Sequence, residues 1–175
     1  MIQISKQIQL KKIQNSDSES LFKLMKEIYS YSYSHFWKDK GDWYVNSQYS
    51  KENLLKDLSE KKSDYYFIIY KTEIVGNFRI IWDEKLKGCP KKNQVKLHRV
   101  YLNQKTHRKG IGKKLISWLE KKALEKGYQI SCLEVYKTGS FFLPYCIINY
   151  MLKVHEKNTC NLVFYRIYKL VVVHP

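Results

Sequence analysis

Polar and apolar residues alternate near the start of the chain, and this period of two predicts a strand over residues 6–14, KQIQLKKIQ. The period then changes. Asn15, Ser16 and Asp17 offer helix N-caps, and Leu21, Phe22, Leu24, Met25 and Ile28 recur at helical spacing, so a helix is predicted from about Asp17 to Tyr29. No clean period governs Tyr29 to Ser50, YSYSYSHFWKDKGDWYVNSQYS. It reads as a long aromatic loop whose rings either pack over the core edge or form a binding lid, with Tyr33, Trp37 and Trp43 as the candidate contacts. Lys51 to Leu58 reads as a short helix capped by Ser50.

A hairpin follows. Tyr65–Tyr70 is a continuous apolar strand, Lys71-Thr72-Glu73 a turn, and Ile74–Trp82 the return strand. Gly76 lies inside that second strand, where glycine signals a bulge or a close backbone approach. Residues 83–94 carry Gly88, Pro90 and several lysines and read as a surface loop. Val95–Leu102, VKLHRVYL, is a strand whose outward set is Lys96 and His98, with the side of Arg99 left open. After a loop at 103–106, His107-Arg108-Lys109-Gly110-Ile111-Gly112 runs into KKLISWLEKKALEKG, where Leu115, Ile116, Leu119, Ala123 and Leu124 form one apolar stripe. Gly127 stands where a left-handed C-terminal cap belongs, and Ile130–Tyr136 is a further strand.

These alternating elements, with no internal repeat or long linker, make residues 1–175 one α/β domain. Apolar residues at 44% and charged residues at 27% are ordinary for a packed core. No apolar run approaches the ~18 residues of a membrane span, and the N-terminus lacks an apolar signal core, so a cytoplasmic location is expected. Cys89, Cys132, Cys146 and Cys160 have neither metal-site nor disulfide-framework spacing. The net charge of +16 points toward polyanionic ligands, yet the lysines are spread along the chain, so charge alone does not select nucleic acid over a phosphorylated cofactor.

The segment around Gly110 narrows that choice. Gly110 and Gly112 remove side chains where backbone must approach a ligand. The unpaired N–H groups of the helix start, the positive end of its dipole and the charges of Arg108, Lys109, Lys113 and Lys114 all favour a phosphate there. Walker A needs a longer glycine spacing ending in Gly-Lys-Ser/Thr, and dinucleotide folds need a third glycine. The segment instead resembles the acetyl-coenzyme A motif of the GCN5-related N-acetyltransferases (GNAT superfamily), Arg/Gln-x-x-Gly-x-Gly/Ala after a strand, with His107 at the first position. The order of elements over residues 6–136 is similar as well.

The resemblance implies a mixed, mostly antiparallel sheet of six to seven strands, flanked by helices and splayed where acetyl-CoA binds. It implies that Val100, Tyr101 and Leu102 present backbone groups to the pantetheine arm. His107, Arg108, Lys109, Gly110, Ile111, Gly112 and Lys113 would hold the pyrophosphate. The implied activity is N-acetylation of a primary amine, on a small molecule or a protein, by direct attack in a ternary complex. The family's usual acid is a tyrosine in Asn-x-x-Ala-x-x-Phe-Tyr-x-x-x-Gly-Phe; here TGSFFLPYCIINY makes Tyr145 the candidate, with Pro144 before it and Asn149 in place of the glycine. His98 is the candidate base, with Asp83 and Glu84 as alternatives.

Residues 135–175 are atypical: beyond Val135 only Glu156 is acidic, and Leu162–Val173 is strongly strand-prone. This segment supplies the last strand of the sheet and an edge on which two copies can pair, or it is a diverged or frame-shifted ending. Two readings from other classes stand beside the enzyme: a basic nucleic-acid-binding module, which the spread of lysines disfavours, and a degenerate GNAT protein that binds CoA without turnover.

Overall fold

A computed structural model describes residues 1–32, 39, 41–84, 93–128 and 130–133. Among them run β1 (Ile2–Ser5), β2 (Ile8–Lys12), a 3-10 turn (Asn15–Asp17), α1 (Ser18–Ser32), α2 (Asp42–Gln48), α3 (Lys51–Ser59), β3 (Ser63–Tyr70), β4 (Glu73–Trp82), β5 (Gln94–Leu102), a second 3-10 turn (Gln104–Thr106), α4 (Ile111–Glu125) and β6 (Ile130–Leu133). The six strands lie in one sheet in sequence order. Contacts divide the chain into two compact units, residues 1–80 with 99–111 and residues 81–98 with 112 onward; β4 and β5 run through both.

In the first unit the strand expected over residues 6–14 is β2, and an unexpected strand, β1, precedes it. The segment folds as a hairpin, with Ile2 opposite Leu10 and Ser5 opposite Ile8. Lys6-Gln7 turn the chain although neither is a customary turn residue, so no turn signal marked the break. β2 then runs antiparallel to β3, with Ile8 opposite Tyr70 and Lys12 opposite Tyr66. Tyr65 through Ile69 and Val75 through Trp82 are buried at consecutive positions, so β3 and β4 are covered on both faces rather than alternating.

The expected aromatic loop over Tyr29–Ser50 also needs correction. α1 continues to Ser32, and residues 42–48 form α2. Asp39 starts that helix: its carboxylate accepts from the N–H of Gly41 at 3.1 Å and of Trp43 at 2.6 Å. Tyr29, Tyr44 and Tyr49 are core residues, which answers to the packing reading of those rings. The Ser-Tyr alternation hid the helices because neither residue is a strong helix former and packing decided the outcome. α3 is capped as expected, Ser50 Oγ accepting from the N–H of Asn53 at 3.3 Å.

The second unit carries the parallel pair. Gln94–Leu97 lie beside Ile130–Leu133 in parallel register, and α4 makes the crossover such a pair requires. Ile111, Leu115, Ile116, Leu119 and Ala123 form the buried stripe of α4, whereas Leu124 is exposed, contrary to expectation. The helix closes with Tyr128 N–H on Ala123 O (2.9 Å) and Gly127 N–H on Leu124 O (3.0 Å), and Gly127 has the expected positive φ of 78°. No described helix is long and apolar enough to cross a membrane.

Candidate cofactor and acceptor site

Burial alternates along β5: Arg99 and Tyr101 are buried, Val100 and Leu102 only partly. Arg99, whose side the sequence left open, belongs to the inward set. Its guanidinium, 4% exposed, donates from Nη1 to Asp57 Oδ2 at 2.5 Å. Arg79 on β4, 3% exposed, donates from Nη1 to the other oxygen of Asp57 at 2.7 Å, from Nη2 to Glu60 Oε2 at 2.5 Å and from Nε to Ser63 Oγ at 3.0 Å. Two buried cations on neighbouring strands thus share one carboxylate supplied by α3. The rings of Tyr49 and Tyr65 lie 5.1 and 5.9 Å from the Arg99 guanidinium carbon, which adds cation–π attraction. Burial opposes the charge on Arg99, and Tyr49, Tyr65 and Asp57 around it more than offset that, so it stays protonated. Burial also pushes the Tyr29, Tyr49 and Tyr65 hydroxyls above the usual phenol value, which keeps them neutral.

Gly76 is the close approach that the sequence announced. A Cβ there would stand 2.0 Å from the carbonyl oxygen of Tyr101 and 3.2 Å from Ile68 Cδ1. Beside it the Asn103 N–H donates to Val75 O at 2.7 Å. The strand end that the resemblance assigned to pantetheine is therefore seated directly on β4.

Beyond Leu102 the chain makes a 3-10 turn, Gln104–Thr106, and enters the glycine loop. His107 Nε2 lies 3.1 Å from Leu102 O, so this imidazole ties the loop back to the strand end. Arg108 and Gly110 both have positive φ, 62° and 71°, with Lys109 between them, and α4 begins at Ile111. Alternating left-handed residues before a helix turn successive N–H groups toward one side, the arrangement that receives anions. Lys105, Arg108, Lys109, Lys113 and Lys114, all near it in sequence, are exposed, and Lys109 Nζ lies 5.4 Å from the Tyr70 ring centre.

Of the other candidates, Trp43 is 59% exposed on α2. His98 is half-buried on β5. Asp83 accepts from the Tyr128 hydroxyl at 2.9 Å, and Glu84 lies 3.9 Å from Lys96 Nζ. Tyr33, Trp37, Tyr145 and the strand-prone tail lie outside the described residues, as do Cys89, Cys146 and Cys160. A cavity of about 600 Å³ opens among Lys12, Ser16, Asp57, Glu60, Ser63 and Tyr65, and none of the proposed cofactor residues lines it. Among the described residues no group of three His, Cys, Asp or Glu could hold a metal.

Residues 19–140 match the acetyltransferase (GNAT) family, a span that runs through both units and includes β5, the glycine loop and α4. The chain belongs to that family. Solved structures share its fold. The PaiA N-acetyltransferase of Thermoplasma acidophilum, in complex with coenzyme A, is 22% identical over 76% of this chain and 82% of its own, with a TM-score of 0.60. A GNAT family acetyltransferase of Staphylococcus aureus is 16% identical over 78% and 92%, with a TM-score of 0.54. AAC(6′)-Iy, in complex with a bisubstrate analogue of CoA and acetylneamine, is 13% identical over 76% and 82%, with a TM-score of 0.52.

Proposed function

We propose that this chain is an acetyl-CoA-dependent N-acetyltransferase that acetylates a primary amine of a small molecule or protein by direct attack in a ternary complex. The observation that carries the reading is the loop itself: two left-handed residues, Arg108 and Gly110, set between a strand and the N-terminus of α4, with exposed basic residues next to them in sequence. In this assignment the N–H groups from Arg108 to Gly112 receive the pyrophosphate, while Val100, Tyr101 and Leu102 offer backbone groups to the pantetheine arm. The loop's own bond from His107 to Leu102 O keeps strand and loop together, so His107 acts by shaping the cradle. His98 is assigned as base and Tyr145 as acid: one strips the acceptor amine of a proton, the other protonates the departing thiolate. Tyr33, Trp37 and Trp43 are assigned to the acceptor. Both compact units serve one catalytic domain in this reading.

Gly110→Asp tests it. Nothing lies within 4 Å of a Cβ at Gly110, so the substitution costs only the strain of a positive φ, about 1 kcal/mol. The carboxylate enters the phosphate cradle, and calorimetric titration with acetyl-CoA should show binding weakened roughly 100-fold against wild type, several charge-assisted hydrogen bonds being lost or opposed. Equal affinity in the two proteins rules out the site. Thiol release across a panel of amines then separates an enzyme from a protein that binds CoA without turnover, and a wild type deaf to acetyl-CoA but binding nucleic acid with steep salt dependence would instead favour the nucleic-acid module.

A further inference from the structure

Residues 99, 101 and 103 face the helices of the first unit from β5 and its end, and each makes a polar side-chain bond to them. Arg99 donates to Asp57 of α3 at 2.5 Å, the Tyr101 hydroxyl lies 3.2 Å from that of Tyr29 on α1, and Asn103 Nδ2 donates to Glu27 Oε1 of α1 at 2.6 Å. We propose that these ties hold the strand end in the shape that receives acetyl-CoA, and that Glu27 and Asn103 are positioning residues for cofactor binding. The inference rests on the proposed cofactor site and says which residues outside it set its geometry.

Asn103 is the junction. Its Oδ1 accepts from the N–H of Lys105 at 3.1 Å, its backbone N–H donates to Val75 O at 2.7 Å, and its carbonyl accepts from Thr106 through both N–H (2.9 Å) and hydroxyl (2.6 Å). One residue therefore fixes the end of β5 through its backbone, and through its side-chain amide the start of the 3-10 turn and its position against Glu27 of α1. The residues that follow within that turn lead straight to His107 and the glycine loop. A backbone acceptor site gains affinity when its groups are already held where the ligand needs them, because less ordering is required on binding. The alternating burial of β5 lets this happen from one face: positions 99 and 101 are gripped, and positions 100 and 102 are left partly open.

Glu27 gives the clean test because it is an exposed helix position. Positioning and plain electrostatics predict opposite signs. Acetyl-CoA is an anion, so if Glu27 acted only by its charge, removing that charge would tighten binding in Glu27→Ala and Glu27→Gln alike. If it acts through Asn103, Glu27→Ala weakens acetyl-CoA binding roughly five-fold, the share of one exposed hydrogen bond, while Glu27→Gln, whose amide oxygen still accepts from Asn103, keeps the wild-type Kd. The measurement is calorimetric titration of wild type and both variants well below their melting transitions, with thermal melts run in parallel. Weakened binding in Glu27→Ala, rescue in Glu27→Gln and unchanged melting support the inference. Wild-type affinity in Glu27→Ala, or tighter binding in both variants, overturns it alone. A wild type that does not bind acetyl-CoA overturns it together with the reading of the site.

Discussion

Asp57→Ala is expected to lose about 3–5 kcal/mol of stability, read as a large fall in the urea midpoint with little change in slope. The reason is the arrangement around Asp57, not its charge alone. Its two oxygens serve two different guanidiniums, Arg79 at 2.7 Å and Arg99 at 2.5 Å, which are 3% and 4% exposed. Like charges on adjacent strands repel, and the shared carboxylate is what turns that repulsion into a bridge. After its removal Arg79 keeps Glu60 and Ser63, but Arg99 keeps only the rings of Tyr49 and Tyr65 among the partners named here. A buried cation without a counter-charge is among the costliest defects a core can hold. Asp64→Ala is the control: its pair with Lys12 at 3.3 Å is surface-exposed, and its loss should change stability by less than about 1 kcal/mol. If the two variants unfold alike, the Asp57 bridge does not matter to the fold.

Gly76→Val is expected to cost about 3 kcal/mol or more and to abolish acetyl-CoA binding in whatever folded protein remains. The constraint is space: even the first carbon of a side chain would stand 2.0 Å from the Tyr101 carbonyl oxygen, and the opposing atom belongs to backbone. Backbone moves only with its strand, and that strand carries the residues assigned to pantetheine. Gly76→Ala separates the two effects, since it introduces the clash with the least added bulk. Soluble yield, urea unfolding and acetyl-CoA titration on the two variants read the outcome. An alanine variant as stable as wild type would show that β4 and β5 can part at this point without cost.

Much of this geometry was legible in the chain. The change of period at Leu102 and the two glycines identify a strand, a turn and a helix, and these elements lie where the spacing put them. Gly76 and Gly127 were readable too, since glycine inside a strand or after a helix has few other uses. Arg99 was not. Alternation puts position 99 on the inward face with Val95, Leu97 and Tyr101 while its charge argues for the outward one, and only an aspartate forty-two positions upstream in sequence makes its burial tolerable. Asn103 reads as loop by period, although an asparagine before a short turn is a capping signal and marks it. The hairpin at Lys6-Gln7 left no such mark.

The sequence by itself determined the local events: where α4 starts and stops, which face of it is apolar, and where glycine gives the backbone before it a left-handed turn. Those depend on glycine freedom, helix dipoles and periodicity, all of which act over a few residues. Only the tertiary structure decided which side of β5 is gripped and by what. That outcome rests on pairs such as Arg99–Asp57, Tyr101–Tyr29 and Asn103–Glu27, whose members are far apart along the chain and gain their energy only once packing has brought them together and removed water.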